Sequence, residues 1–447
     1  MKKFNTTGLC IASEHYMVDI SERISKIKKM VDDGEYFAIN RARQYGKTTT
    51  IEALCQKLAE EYIVLSMDFQ SLEDGSFRNG GTFSKSFARA ILDMHDFDGF
   101  AIPESIVNRF RVLSEKPSEE VLMDELIRVF KFWFAEEERP IVLTIDEVDS
   151  ATNNQVFLDF LAQLRFMYLK HKRNKAISSF QSVILAGVTD VKHLRSKIRE
   201  EDQHKVNSPW NIAADFNIDM SLPETGIKGM LDEYEADHHT GMDTLEMARQ
   251  IRAYTNGYPF LVSRICQLID ENVATRMPLD KAWTRSGLDE AIKMILAENN
   301  TLFQSLTKNL NNYPDLKKVI RSILMEGTRI AYNAQQDEIA QMQMYGLIRN
   351  DHDTVRVANR IFEIRLYNLF LSDEELKNNV FGKAGREADP YTIHRHLHKS
   401  VRSLGRQVQG EGWKGTVPSV PEANHQRDRE LLYRGADEGP EKDGCHH

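Results

Sequence analysis

Apolar positions follow two alternating rhythms over the first half of this 447-residue chain and a single rhythm over the second. A helical period opens at 20–31, with Ile24, Ile27 and Val31 on one side, and Asp32, Asp33 and Gly34 stop it. The short apolar run 36–39 reads as a strand, followed by a helix carrying Ile51, Leu54 and Leu58 at helical spacing. A second strand, 62–67, ends in Asp68, and 71–81 reads as a loop. Two or three helices follow over 82–137, the last with Val121, Leu122, Leu126, Val129 and Phe130 inward. The run 141–145 is almost wholly apolar and β-branched, as a central strand buried on both faces requires. A helix over 154–171, with Phe157, Phe160, Leu161, Leu164 and Tyr168 on one face, leads to a further strand at 182–186. A short final strand is expected at 216–220. Strands and helices in this order predict an α/β layer with a parallel sheet and flanking helices over 1–222.

From 223 the period is helical throughout. Segments 227–234, 242–254, 259–272 and 279–296 predict a small helical lid over 223–297. Gly257 ends one of these helices and Pro259 suits the first turn of the next. Residues 298–375 give three more helices and then two short strands around the acidic turn 351–353, the order of a winged helix. The strands carry Arg349 and Arg356 but no dense basic face, which favours a protein partner or a regulatory contact over DNA.

Composition narrows this picture without redirecting it. Apolar residues make up 41% and charged residues 28%, as in ordinary globular chains. No apolar run approaches the roughly 18 residues a membrane helix needs, and 8–12 is too short for a signal-peptide core. The four cysteines, Cys10, Cys55, Cys266 and Cys445, have no paired spacing, which suits reduced thiols in a cytoplasm. The net charge of −9 leaves any contact with nucleic acid to a local patch. The one dense cluster, KHKRNK at 170–175, complements the dipole at a helix C-terminus.

The chemistry concentrates at the ends of the predicted strands. Gly46-Lys47-Thr48, between a strand and a helix, is the back half of a phosphate-binding loop, with Lys47 for the phosphates and the Thr48 hydroxyl for Mg²⁺. Arg41, Gln44, Tyr45, Gly46, Lys47, Thr48 and Thr49 are the candidate nucleotide contacts. The general pattern asks for glycine where Arg41 stands; a side chain there changes how closely the backbone wraps the β-phosphate, or itself serves as a phosphate ligand. Strand 141–145 ends on Asp146, a candidate for the Mg²⁺ shell, and Glu147, a candidate base for the attacking water. Asp149 is read as a cap for the next helix. Thr189, with Asp190 as fallback, is the candidate polar residue at the tip of the neighbouring strand.

Together, INRARQYGKTTT, VLTIDEVDS, SPWNIA and NGYPFLV resemble the bacterial AAA-like ATPases of the STAND and archaeal-type ATPase group over about residues 1–372. The resemblance implies ATP and Mg²⁺ as cofactors, with Lys47 on the phosphates, Thr48 and Asp146 on the metal, Glu147 as catalytic base, and Gly257 and Pro259 approaching the nucleotide from the lid. An arginine at position 41 is common in that branch. The complete Asp146–Glu147 pair favours an ATPase acting as a conformational switch; the alternatives are a nucleotide-binding scaffold with little hydrolysis, or a DNA-binding module acting through the winged helix. No arginine can be assigned as a trans-acting finger, and an oligomer is compatible with the sequence.

Many members of that group continue into a PD-(D/E)xK nuclease domain, whereas residues 376–447 here lose apolar periodicity and hold six of the 14 histidines. The alternation of His394, His396 and His398 lacks a surrounding core for a metal site. Codons for 411–447 can be chosen so that a second frame spells a stop-free, strand-like nuclease sequence. A frameshift between about residues 383 and 412 is therefore expected, with 383–447 disordered and without selected function.

Overall fold

The computed structural model describes residues 2–188 and 209–381, with side chains through 374. The tail beyond 381, with its histidines and the expected frameshift, lies outside the described residues. Met1–Glu375 form one compact unit, which carries every site described below.

The α/β layer is a four-stranded parallel sheet. Two short parallel strands, β1 (Lys3–Phe4) and β2 (His15–Tyr16), come first, then α1 (Ser21–Asp32). β3 (Phe37–Asn40), α2 (Lys47–Leu58) and β4 (Ile63–Asp68) follow, then α3 (Gly80–Phe97), α4 (Glu104–Glu115) and α5 (Met123–Glu136). β5 (Ile141–Asp146), α6 (Gln155–Arg173) and β6 (Ser182–Gly187) complete the layer, in the order β3-β6-β5-β4. The first five residues of β5 are buried, as its apolar run requires. α1 and α2 close one face of the sheet around Ile27, Leu54 and Val142, while α3–α6 close the other around an aromatic core that includes Phe87, Phe130 and Phe160. The register sets Asp68 beside Asp146 and Asn40 beside Gly187, so the C-terminal strand ends meet along one edge, where open α/β sheets bind ligands.

The final strand expected at 216–220 does not form. Ala214 makes a single bridge to Phe37, and 215–220 run irregularly along the sheet. Arg41 is the physical reason: its guanidinium donates to the carbonyls of Ile218 at 2.9 Å and Phe216 at 3.5 Å, groups a strand would have spent on its neighbour.

The helical half comprises α7 (Glu224–His238), α8 (Thr244–Thr255), α9 (Pro259–Leu268), α10 (Leu279–Ala282) and α11 (Arg285–Ala297). The single helix expected over 279–296 is thus two. Thr284 is extended between them, and only a glycine at 287 lets α11 approach the Ala282 carbonyl. Next come α12 (Thr301–Asn312), α13 (Pro314–Arg321) and α14 (Asp337–Met344), the antiparallel hairpin β7 (Ile348–Asp351) and β8 (Thr354–Val357), and α15 (Arg360–Phe381). His352 and Asp353 turn the hairpin with φ of 48° and 59°, as two-residue hairpin loops demand. One apolar core runs from α7 through α15. Phe4 and Tyr16 belong to it, Phe4 tilted and Tyr16 edge-on against Tyr234, with Phe4 also 6.0 Å from Trp283. Phe4 and Tyr16, which the sequence reading placed within the α/β layer 1–222, are therefore part of the helical module. Among the described residues, no helix is long and apolar enough to cross a membrane.

Candidate nucleotide-binding site

The loop 41–46 leaves β3 and enters α2 through two left-handed residues, Gln44 (φ 56°) and Gly46 (φ 79°). Gly46 is the N-cap and offers no side chain to the first turn, so the helix keeps backbone N–H groups for an anion. Lys47 begins the helix buried, its ammonium 3.1 Å from the Arg41 carbonyl and 3.2 Å from that of Ala42. Burial pushes its pKa down, opposed by the carboxylates of Glu147, Asp149 and Asp146.

The two expected metal residues meet. Thr48 Oγ1 donates to Asp146 Oδ2 at 3.0 Å, joining the start of α2 to the end of β5. Asp146 Oδ1 accepts the Glu147 backbone N–H at 2.8 Å. A hydroxyl and a carboxylate at a strand end are hard oxygen donors, so the pair fits Mg²⁺ with water completing the shell. Glu147 sits in the left-handed region (φ 51°), which costs a non-glycine residue about 1 kcal/mol. Burial raises its pKa, the nearby Asp146 and Asp149 raise it further, and Lys47 and Arg43 oppose them.

Asp149 does not cap α6, whose N-cap is Asn154; its Oδ2 accepts the Val188 N–H at 2.7 Å and so ties the tip of β5 to the tip of β6. Thr189 and Asp190 lie outside the described residues. Arg41 stands in the loop, but besides Phe216 and Ile218 its guanidinium donates to the Asn40 carbonyl at 2.8 Å and lies 5.2 Å from the Phe216 ring. Tyr45 packs edge-on against Tyr258 at 4.7 Å, and Gln44 Nε2 donates to Thr301 Oγ1 at 3.2 Å. Thr49 Oγ1 accepts the Cys10 N–H at 3.4 Å, drawing the N-terminal segment to the start of α2.

From the helical module, Pro259 reaches the loop: a Cβ on Gly46 would lie 3.9 Å from Pro259 Cγ. Gly257, with φ 71°, packs on Leu222, whose N–H bonds the Gly257 carbonyl at 2.8 Å. The residue that sequence reasoning missed is Tyr258, buried, with its hydroxyl donating to the Arg43 carbonyl at 2.5 Å. Its position within NGYPF was the available signal. Gly346, just before β7, also meets the loop: a Cβ there would lie 2.6 Å from that of Ala42. The hairpin arginines are engaged, Arg349 with Asn256 at 3.2 Å and Arg356 with Asp351 at 3.7 Å. Among the described residues, no cluster of three or more His, Cys, Asp or Glu could hold a metal.

Several solved structures are similar to this chain. The Walker-type ATPase of Pyrococcus abyssi is 12% identical with a TM-score of 0.54, covering 81% of this chain and 99% of its own. The ORC2 protein of Aeropyrum pernix, solved as ADPNP-ADP complexes, is 13% identical with a TM-score of 0.45, covering 84% and 97%. Cdc6p of Pyrobaculum aerophilum is 13% identical at 0.37, covering 83% and 98%. No curated protein matches. At these identities the likeness speaks to fold alone, a P-loop ATPase fold with a parallel sheet and flanking helices. The AAA-like domain profile, however, matches residues 6–373, most of the chain, and with the phosphate loop, the Thr48–Asp146 contact and the adjoining helical module in view, the chain belongs to the AAA-like domain family.

Proposed function

We propose that this protein binds ATP with Mg²⁺, hydrolyses it, and works as a conformational switch. The observation that carries the reading is the 3.0 Å contact between Thr48 Oγ1 and Asp146 Oδ2, with Glu147 beside it and Lys47 at the helix start. Thr48 and Asp146 would hold Mg²⁺, which when bound neutralises phosphate charge. Lys47 and the free N–H groups of the first turn of α2 hold the phosphates. Glu147, whose carboxylate accepts no hydrogen bond among the described residues, orients a water and takes its proton. Thr189 is the candidate for the γ-phosphate on sequence grounds alone. Arg41 acts on the 216–218 segment and shapes the loop through its backbone. The switch lies in the contacts of Tyr258, Pro259, Thr301 and Gly346 with the loop, which make the loop's conformation and the docking of the module one equilibrium. Module and hairpin face a protein partner or pack regulatorily; the engagement of Arg349 and Arg356 weighs against DNA through the hairpin.

A second reading, a nucleotide-binding scaffold with little turnover, draws on how firmly Tyr258 holds the Arg43 carbonyl. ATP affinity and hydrolysis by wild type, Lys47→Ala and Glu147→Gln separate the two. Turnover by wild type, binding without turnover by Glu147→Gln and lost binding by Lys47→Ala support the switch. Equal binding by wild type and Glu147→Gln with turnover by neither supports the scaffold.

A further inference from the structure

The basic run at the end of α6 is more than a dipole complement. Lys170, His171, Lys172 and Arg173 form the last turn of the helix, and Lys175 follows in the loop. Among the described residues, Lys170, Lys172, Arg173 and Lys175 pair with no carboxylate, in a chain whose net charge is −9. Glu35 acts electrostatically on the neighbouring Tyr168 but makes no ion pair with them.

Local structure builds the patch. Tyr168 is anchored against Tyr36 at 4.6 Å, and Lys172 Nζ lies 5.2 Å from the Tyr168 ring. The loop folds back through Ile177 N–H to the Asn174 carbonyl at 3.0 Å and Ala176 N–H to Asn174 Oδ1 at 3.1 Å. His171 Nδ1 lies 2.7 Å from the Ile177 carbonyl, which only a protonated Nδ1 can bond, so in the neutral ring Nε2 accepts Lys175 Nζ at 3.4 Å. On the same helix Phe166 is 51% exposed, with Lys170 Nζ 4.3 Å from its ring centre.

We propose that this helix end binds single-stranded nucleic acid, with the four cations around it along the phosphates and one base stacked on Phe166. Cations beside an exposed aromatic ring are the elements of sequence-tolerant single-strand binding. The exposed apolar surface, Phe166 and Ile177, is too small for insertion into a membrane. An acidic protein segment would use the cations but gain little from an isolated flat ring. The patch lies at the end of the sheet where β6 begins, opposite Asp146, so six residues of strand separate it from the phosphate loop, about 20 Å. The proposal is independent of the ATPase reading.

The test is fluorescence anisotropy of a labelled oligothymidylate with the full chain, its Lys170→Glu/Arg173→Glu variant and Phe166→Ala, each checked for unchanged thermal unfolding. Four phosphate contacts predict that a fourfold rise in salt weakens wild-type binding about 50-fold, with a visibly shallower slope in the charge-reversed variant. Phe166→Ala should bind about tenfold more weakly with the slope unchanged. The proposal is overturned by no binding at low salt, by binding that ignores Phe166, or by polyglutamate or anionic vesicles binding as well as the oligonucleotide. ATP turnover, measured in parallel, should be the same in all three proteins.

Discussion

Replacing Gly346 with alanine puts a methyl group where Ala42 already has one. The new Cβ would lie 2.6 Å from that of Ala42, well inside carbon contact distance, so the helical module or the phosphate loop must give way. Two costs add. The φ of 67° asks a non-glycine residue for about 1 kcal/mol, and overpacking asks typically 1–3 kcal/mol more. Only the second depends on Ala42. A double-mutant cycle with Ala42→Gly therefore separates them: Gly346→Ala should cost about 2–4 kcal/mol in the parent and about 1 kcal/mol in the Ala42→Gly background. Denaturant unfolding gives the four free energies, and hydrogen exchange of the loop amides reports local release. A coupling below about 0.5 kcal/mol, with unchanged exchange over 42–47, would refute the idea that this contact docks the module on the loop.

Three further outcomes follow from the same geometry. Tyr258→Phe removes a buried donor from the Arg43 carbonyl and should cost about 1–3 kcal/mol in urea unfolding; burial holds the phenol protonated, so the loss should not vary with pH across the neutral range. Arg41→Ala should cost about 2–3 kcal/mol and open 215–220 to proteolysis, while ATP affinity falls less than tenfold; a loss of a hundredfold or more would put the guanidinium on the phosphates instead. Because the pKa of Glu147 is raised in the folded protein, its ionisation opposes folding: stability is full below the unfolded value near 4.5 and declines as pH rises through the folded value. Glu147→Gln should therefore melt higher than wild type at neutral pH, with the gap closing below about pH 4.5. A gap that widened in acid would reverse the assigned sign.

What the sequence disclosed were features that neighbouring residues decide. The β-branched run of β5 and the glycine, lysine and threonine opening α2 carry their reading in a few adjacent letters. The hidden features depend on distant partners. Arg41 could not be assigned because the carbonyls it satisfies lie some 175 positions away. The same contact removed an expected strand, and Phe216, which periodicity put in a ladder, stacks on Phe37 at 5.9 Å instead. The break between α10 and α11 left the apolar period intact, and Gly287 was its only trace. Asp149 looked like a cap because caps are local, whereas its partner belongs to the next strand.

The placement of Phe4 and Tyr16 in the core of the helical module has a consequence for synthesis. On the ribosome Phe4 is made some 230 residues before Tyr234 and some 280 before Trp283. At about 5–20 residues per second, that wait is on the order of ten to sixty seconds. Through it the sheet, whose strands end at Gly187, can assemble while this apolar segment still seeks its pocket. The nascent chain thus carries a timed sticky segment, a natural hold for a chaperone. A bulky polar substitution at Phe4 would disturb the later-made module rather than the sheet made before it.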